Sequence, residues 1–246
     1  MMKRLLGAIA LFTVSIAANA FLFGGNPELK VQIPNQIDDG NLVPVIVQAM
    51  DFGDDKVVAI ELAIRSNPAG YQQAITMRYA APRKDGYLST RVRLGGQAGT
   101  ATVIATVVLA SGQRKTREAN TQLNKPADFS NPDSLNSIFQ GGLKFPTTQI
   151  GQVAFLRKPI NGKPFSLVST SLYHPMVPGI AGAPGRYVNQ IKFKSGGNDF
   201  ATAETSPALS NNLFLQFIVD NETDKLTAEW LDTGNHTYSG EEGMQP

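Results

Sequence analysis

The sequence predicts an all-β protein containing two antiparallel β-sandwiches. Three observations lead there. Apolar and polar residues alternate at period two through several runs, the mark of strands with one buried face. Clusters of Gly, Asn, Asp, Ser and Pro punctuate those runs. The pattern of the first half also returns in the second.

The chain opens MMKRLLGAIALFTVSIAANA. Lys3 and Arg4 form a basic start, residues 5–16 an apolar stretch, and Ala18-Asn19-Ala20 a small-x-small cleavage site. This predicts a secretory leader over residues 1–20, cleaved near Ala20, and places the mature chain in the periplasm without a membrane anchor. The leader takes Lys3 and Arg4 with it, leaving 20 basic residues against 20 acidic ones. A neutral chain argues against nucleic acid as partner, because affinity there comes largely from neutralised phosphates. With Cys 0 there is no disulfide, no thiolate metal site and no thiol nucleophile.

The first unit is expected over residues 27–124. VVAIELAIRS (57–66) alternates, with Val58, Ile60, Leu62 and Ile64 expected on one face. YLSTRVRL (87–94) and TATVIATVVLA (100–110) are rich in β-branched residues. NPAG, RKDG, GGQAG and ASGQ mark the turns around them. Residues 125–149 form an expected linker, rich in Pro, Asn, Ser and Gly. Its SIFQGGL stretch is more apolar than a free linker needs, so part of it is expected to dock. The second unit is expected over residues 150–240, with strands in YVNQIKFKS, NLFLQFIV and DKLTAEWLD. These match the three runs of the first unit in order, at a nearly constant offset.

At this point the residues carry a family resemblance. LKVQIPNQIDDGNLVPVIVQA (29–49), SNP (66–68) and STRVRL (89–94) resemble SoxY, the carrier subunit of bacterial periplasmic sulfur oxidation. HPM with Gly179, SPALSNNLFLQFIV (206–219) and EWLDTG (229–234) resemble its partner, SoxZ. The chain thus looks like a SoxY–SoxZ fusion. The resemblance implies immunoglobulin-like sandwiches that meet through apolar contact between sheets. It also implies periplasmic redox or sulfur-oxidation proteins as partners. One departure is decisive. The SoxY family works through a C-terminal Gly-Gly-Cys-Gly-Gly arm whose thiol holds the sulfur intermediate. Here the first unit ends LASGQRKTREANTQLNKPADF, without cysteine or a glycine-rich arm. A hydroxyl cannot replace that thiol, being a far weaker nucleophile and unable to hold sulfane sulfur.

The candidate binding residues are His174, Met176 and Arg186, around the Pro- and Gly-rich stretch VPGIAGAPGR (177–186). His with Met suits Cu(I), so a copper- or small-ligand-binding protein on the same fold is the alternative reading. A metal site needs three or more ligands, however, and the chain has only two histidines. The competing reading makes His174 a strand-end residue that fixes the following loop, because Pro175 ends the strand. His236 in TGNHTYSG reads as a turn residue, and Trp230 as core. The basic clusters RKD (83–85) and RKTRE (114–118) read as charged strand edges or contacts for an anion. No catalytic residues, no cofactor and no metal are expected.

Overall fold

The computed structural model describes residues 28–67, 70–127, 150–177 and 185–245. The expected leader and residues 128–149 of the expected linker lie outside them, as does the tip of the 177–186 loop. All regular elements among the described residues are strands.

They form two sheets. The smaller contains β1 (Glu28–Gln32), β3 (Val43–Met50), β6 (Gly86–Val92), β9 (Val153–Pro159), β10 (Phe165–Leu172) and β13 (Leu213–Asp220). Its order is β1-β3-β6-β13-β10-β9. The larger adds β2 (Gln36–Ile37), β4 (Val57–Ser66), β5 (Gly70–Arg83), β7 (Gly99–Leu109), β8 (Arg114–Leu123), β11 (Val188–Ser195), β12 (Asn198–Thr205), β14 (Leu226–Asp232) and β15 (Thr237–Glu241). Its order is β15-β14-β11-β12-β5-β4-β7-β8-β2.

Both sheets therefore draw on both units: the smaller takes three strands from each, and the larger takes five from the first and four from the second. The sequence repeat is visible in this order. The runs that match one another become β4 and β11, β6 and β13, β7 and β14. Both units place these strands alike, and they meet through matching edges: β6 pairs with β13, and β5 with β12. This is the isologous contact of a two-fold dimer, built inside one chain. The repeat aligns Tyr87 with Asn212, which makes Thr90 the counterpart of Leu215. Those two residues stand opposite each other in the β6–β13 ladder, on the pseudo-two-fold axis. The apolar contact expected between units is joined by two backbone ladders across the boundary.

One continuous core fills the space between the sheets and draws on both units, from Val45, Ile60 and Val103 to Ile191, Phe217 and Trp230. Burying such side chains contributes about 1.5–3 kcal/mol each. Trp230 is core, as its alternation predicted. At the junction the Phe200 ring lies edge-on to Tyr79, centroids 6.3 Å apart, and 6.0 Å from that of Phe217. Arg83 sits 5.2 Å from the Phe200 centroid and bridges to Asp220 at 2.8 Å.

One detail of the alternation differs. Ile60, Leu62 and Ile64 face the core, but Val57 joins them in place of Val58. The register slips between Val57 and Ala59, a bulge that returns the strand's first residue to the inner face. The expected basic edge at 114–118 is paired within its own sheet, Arg114 with Glu61 at 2.6 Å and Glu118 with Arg65 at 2.9 Å.

Candidate functional site

Strands β10, β11 and β14 end near one corner beside the junction. β10 stops before Tyr173-His174-Pro175, because proline cannot donate to a ladder. The chain then turns at Met176, which has φ 49°. Such a left-handed backbone is uncommon for methionine and is held here from both sides. The Met176 N–H donates to His174 Nδ1 at 3.2 Å, and its carbonyl accepts from Arg93 of the first unit.

His174 and Met176 are fully buried. His174 Nε2 lies 3.3 Å from Asp232 Oδ2. With Nδ1 accepting and Nε2 donating, the ring is fixed in its neutral Nε2–H form. Burial lowers its pKa; the Asp232 carboxylate opposes that shift without reversing it. Both ring nitrogens are thus engaged, and Nδ1 is closed to a metal or to a nucleophile's proton.

Asp232 is the centre of the corner. Its side chain is wholly buried. Oδ2 takes hydrogen bonds from His174, from Arg186 Nε at 3.0 Å and from the Tyr238 hydroxyl at 3.2 Å. Oδ1 takes the N–H groups of Gly234 and His236, both at 2.8 Å, and lies 3.2 Å from His236 Nδ1. Burial alone raises the pKa of this carboxyl. The bonds from His236 N–H, Arg186 and His174 outweigh it, and the group stays ionised well below the usual carboxylate range.

Arg186 closes the loop that begins at Val177. The two residues exchange backbone hydrogen bonds of 2.8 and 2.9 Å. Arg186 Nη2 donates to Tyr238 at 3.0 Å, and Thr233 Oγ1 donates to the Gly185 carbonyl at 2.9 Å. The base of the 177–186 loop is therefore rigid on three sides. The Arg186 side chain stays 41% exposed and that of His236 59%, so both reach solvent at this corner.

Behind the loop, Arg93 crosses from β6. Its guanidinium donates to the carbonyls of Met176, of Pro175 at 3.3 Å and of Pro207 at 3.1 Å, and to Asn211. Arg93 is 2% exposed, and burial lowers its pKa to about 10, which leaves it charged at neutral pH.

The three sequence candidates thus come together: His174 and Arg186 share one carboxylate oxygen, and Met176 is bonded to His174. Asp232, Tyr238 and Arg93 escaped the sequence reading. Asp232 carried a usable signal: an aspartate closing an apolar strand, followed by Thr-Gly-Asn, favours a turn onto its own carboxylate. Among the described residues no cluster of three or more His, Cys, Asp or Glu is placed to hold a metal.

Comparison with known proteins gives two family matches. The model described as "Sulfur oxidation protein SoxY" matches residues 16–122, and "Sulphur oxidation protein SoxZ" matches residues 161–242. No curated protein matches the chain. Among solved structures, wild-type OgpA from Akkermansia muciniphila is 18% identical with a TM-score of 0.30, over 44% of this chain and 30% of that one. The chain thus spans under a third of that protein. A cohesin module from the Clostridium perfringens family 33 glycoside hydrolase is 12% identical with a TM-score of 0.25, over 40% of this chain and 97% of the module. Murine CRIg is 12% identical with a TM-score of 0.26, over 42% of this chain and all of that one.

Proposed function

The chain joins a SoxY domain to a SoxZ domain and contains no cysteine, and from that premise we propose that it acts in sulfur-compound oxidation by binding proteins rather than by carrying sulfur. The observation that carries the reading is the missing thiol. A carrier needs a group that forms and releases a covalent sulfur bond, and no side chain here does that.

What remains is a rigid body with a recognition loop. The pair that the family builds from two subunits is one polypeptide here, so its association does not depend on concentration. The loop at 177–186 stands on the Asp232 corner, and loops on rigid sandwiches commonly carry recognition. Arg186 and His236 give that surface its polar character. The partner is a periplasmic protein of sulfur-compound oxidation or a related redox system, and the leader at residues 1–20 delivers the chain to it. The engagement of both His174 nitrogens weighs against the copper reading.

Two measurements test this. Intact mass after incubation with thiosulfate and an oxidising enzyme should show no adduct, and a reductant-reversible sulfur adduct would overturn the reading. Added to a reconstituted thiosulfate-oxidising system, the chain should change the turnover rate in a saturable way. An Arg186→Ala chain should do so less. No change in rate at any concentration tested would refute binding to that system.

A further inference from the structure

Arg186 uses only one side of its guanidinium fork. Nε donates to Asp232 and Nη2 to the Tyr238 hydroxyl, each at 3.0 Å, with His236 Nδ1 3.5 Å from Nη2. Nη1 stands on the other side, and no described residue accepts from it. His236 is placed in the same way. Its backbone N–H and its Nδ1 face Asp232 Oδ1 at 2.8 and 3.2 Å, and its Nε2 has no partner among the described residues. One buried carboxylate therefore holds two solvent-reaching side chains, each with a nitrogen to spare. Ordering a free arginine on binding costs rotamer entropy, and Asp232 has ordered this one in advance.

No rival anion stands nearby along the chain. Backbone hydrogen bonds tie together Gly151 and Tyr173, Val177 and Arg186, and Tyr187 and Thr233. The stretches 150–156, 173–177, 185–192 and 230–240 that meet there contain Arg186, Lys192 and both histidines, but one acid, Asp232. Its oxygens already face their donors from within the corner. The group that fits between Arg186 Nη1 and the Nε2–H of an imidazolium at His236 accepts twice and carries negative charge, as a carboxylate does. The openness of the site selects its source. An exposed ion pair is worth at most about fivefold in affinity, too little to retain a free ion against water. A carboxylate mounted on a protein brings the rest of an interface with it, and there the charge sets approach and orientation.

We infer that the corner takes an acidic side chain of the partner protein, held between Arg186 Nη1 and His236 Nε2. This rests on the reading of the corner as a protein-recognition surface and adds the chemistry it recognises. Asp232 is the positioning residue, Arg186 and His236 the contacts.

The probe is an acetylated hexaglutamate peptide, titrated into the purified chain at low salt. The side-chain nitrogen resonances of Arg186 and His236 are the readout, and the second histidine is buried and engaged at both nitrogens. Hexaglutamate should shift both resonances saturably, and thiosulfate at matched ionic strength should not. Arg186→Lys keeps the charge beside Asp232 but loses the spare donor, and should raise the dissociation constant about threefold, the worth of one exposed ion pair. His236→Gln should do the same, and it leaves the Arg186–Asp232 bond in place. No saturable shift with hexaglutamate would overturn the proposal. So would equal binding of thiosulfate, which marks a site for free anions, or peptide binding that neither substitution weakens. The thiosulfate-oxidising system separates this proposal from the reading beneath it. A change in turnover without hexaglutamate binding at the corner would keep that reading and overturn the acidic occupant. Binding at the corner without any change in turnover would support the acidic occupant and remove sulfur oxidation as its setting.

Discussion

The guanidinium of Arg93 donates to the main-chain carbonyl of Met176, joining the end of a first-unit strand to the loop of the second unit across the junction. Both residues are buried, so this contact is made where water cannot substitute for it. It fixes the strained turn that presents the candidate loop.

Replacing Arg93 by Ala should therefore destabilise the protein by about 3 kcal/mol, since several buried carbonyls lose their donor at once. Arg93→Lys should recover only part of this, because an ammonium cannot reproduce the planar fork. Urea denaturation of the three proteins checks it. A loss below about 0.5 kcal/mol for Arg93→Ala would place the contact among those that add nothing measurable.

Acid should weaken the corner in two stages. The folded pKa of His174 lies below its ordinary value of 6.5, so its contribution is fully present above pH 6.5 and declines as pH falls below it. Asp232 is also depressed, from 3.8, so its contribution is present above about pH 4 and is lost on further acidification. A His174→Gln chain should lose the first stage and keep the second. Stability against pH from denaturant midpoints is the readout, and an unchanged profile between pH 6.5 and 5 would contradict the neutral buried ring.

Metal binding separates the two readings of His174. Cu(I) titration against a competing chelator should give no tight complex, because a ligand at either ring nitrogen must first break the bond to Asp232 or to Met176. Submicromolar affinity that disappears in His174→Ala would restore the copper reading.

Cleavage of the chain between residues 128 and 149 should leave two fragments that run together on size exclusion. Two ladders, the shared core and the Arg83–Asp220 bridge hold them independently of the tether. Fragments that part at micromolar concentration would show that the seam contributes little.

The sequence by itself determined the strands with one buried face, the repeat and the family. Val57–Ser66 was legible to its ends, and Trp230 was legible as core. Period-two alternation records burial of one face directly, and a repeat records the same unit twice. What only the tertiary structure decided was which edges meet. β5 and β12 were not picked out as strands, yet they make half of the seam. Edge pairing is written in backbone N–H and C=O groups, which every residue carries, so side-chain pattern says little about it. Asp232 became the centre of the corner for a similar reason. His174 lies 58 positions from it and Arg186 lies 46, and a buried carboxylate acquires its meaning only from the donors that folding brings to it.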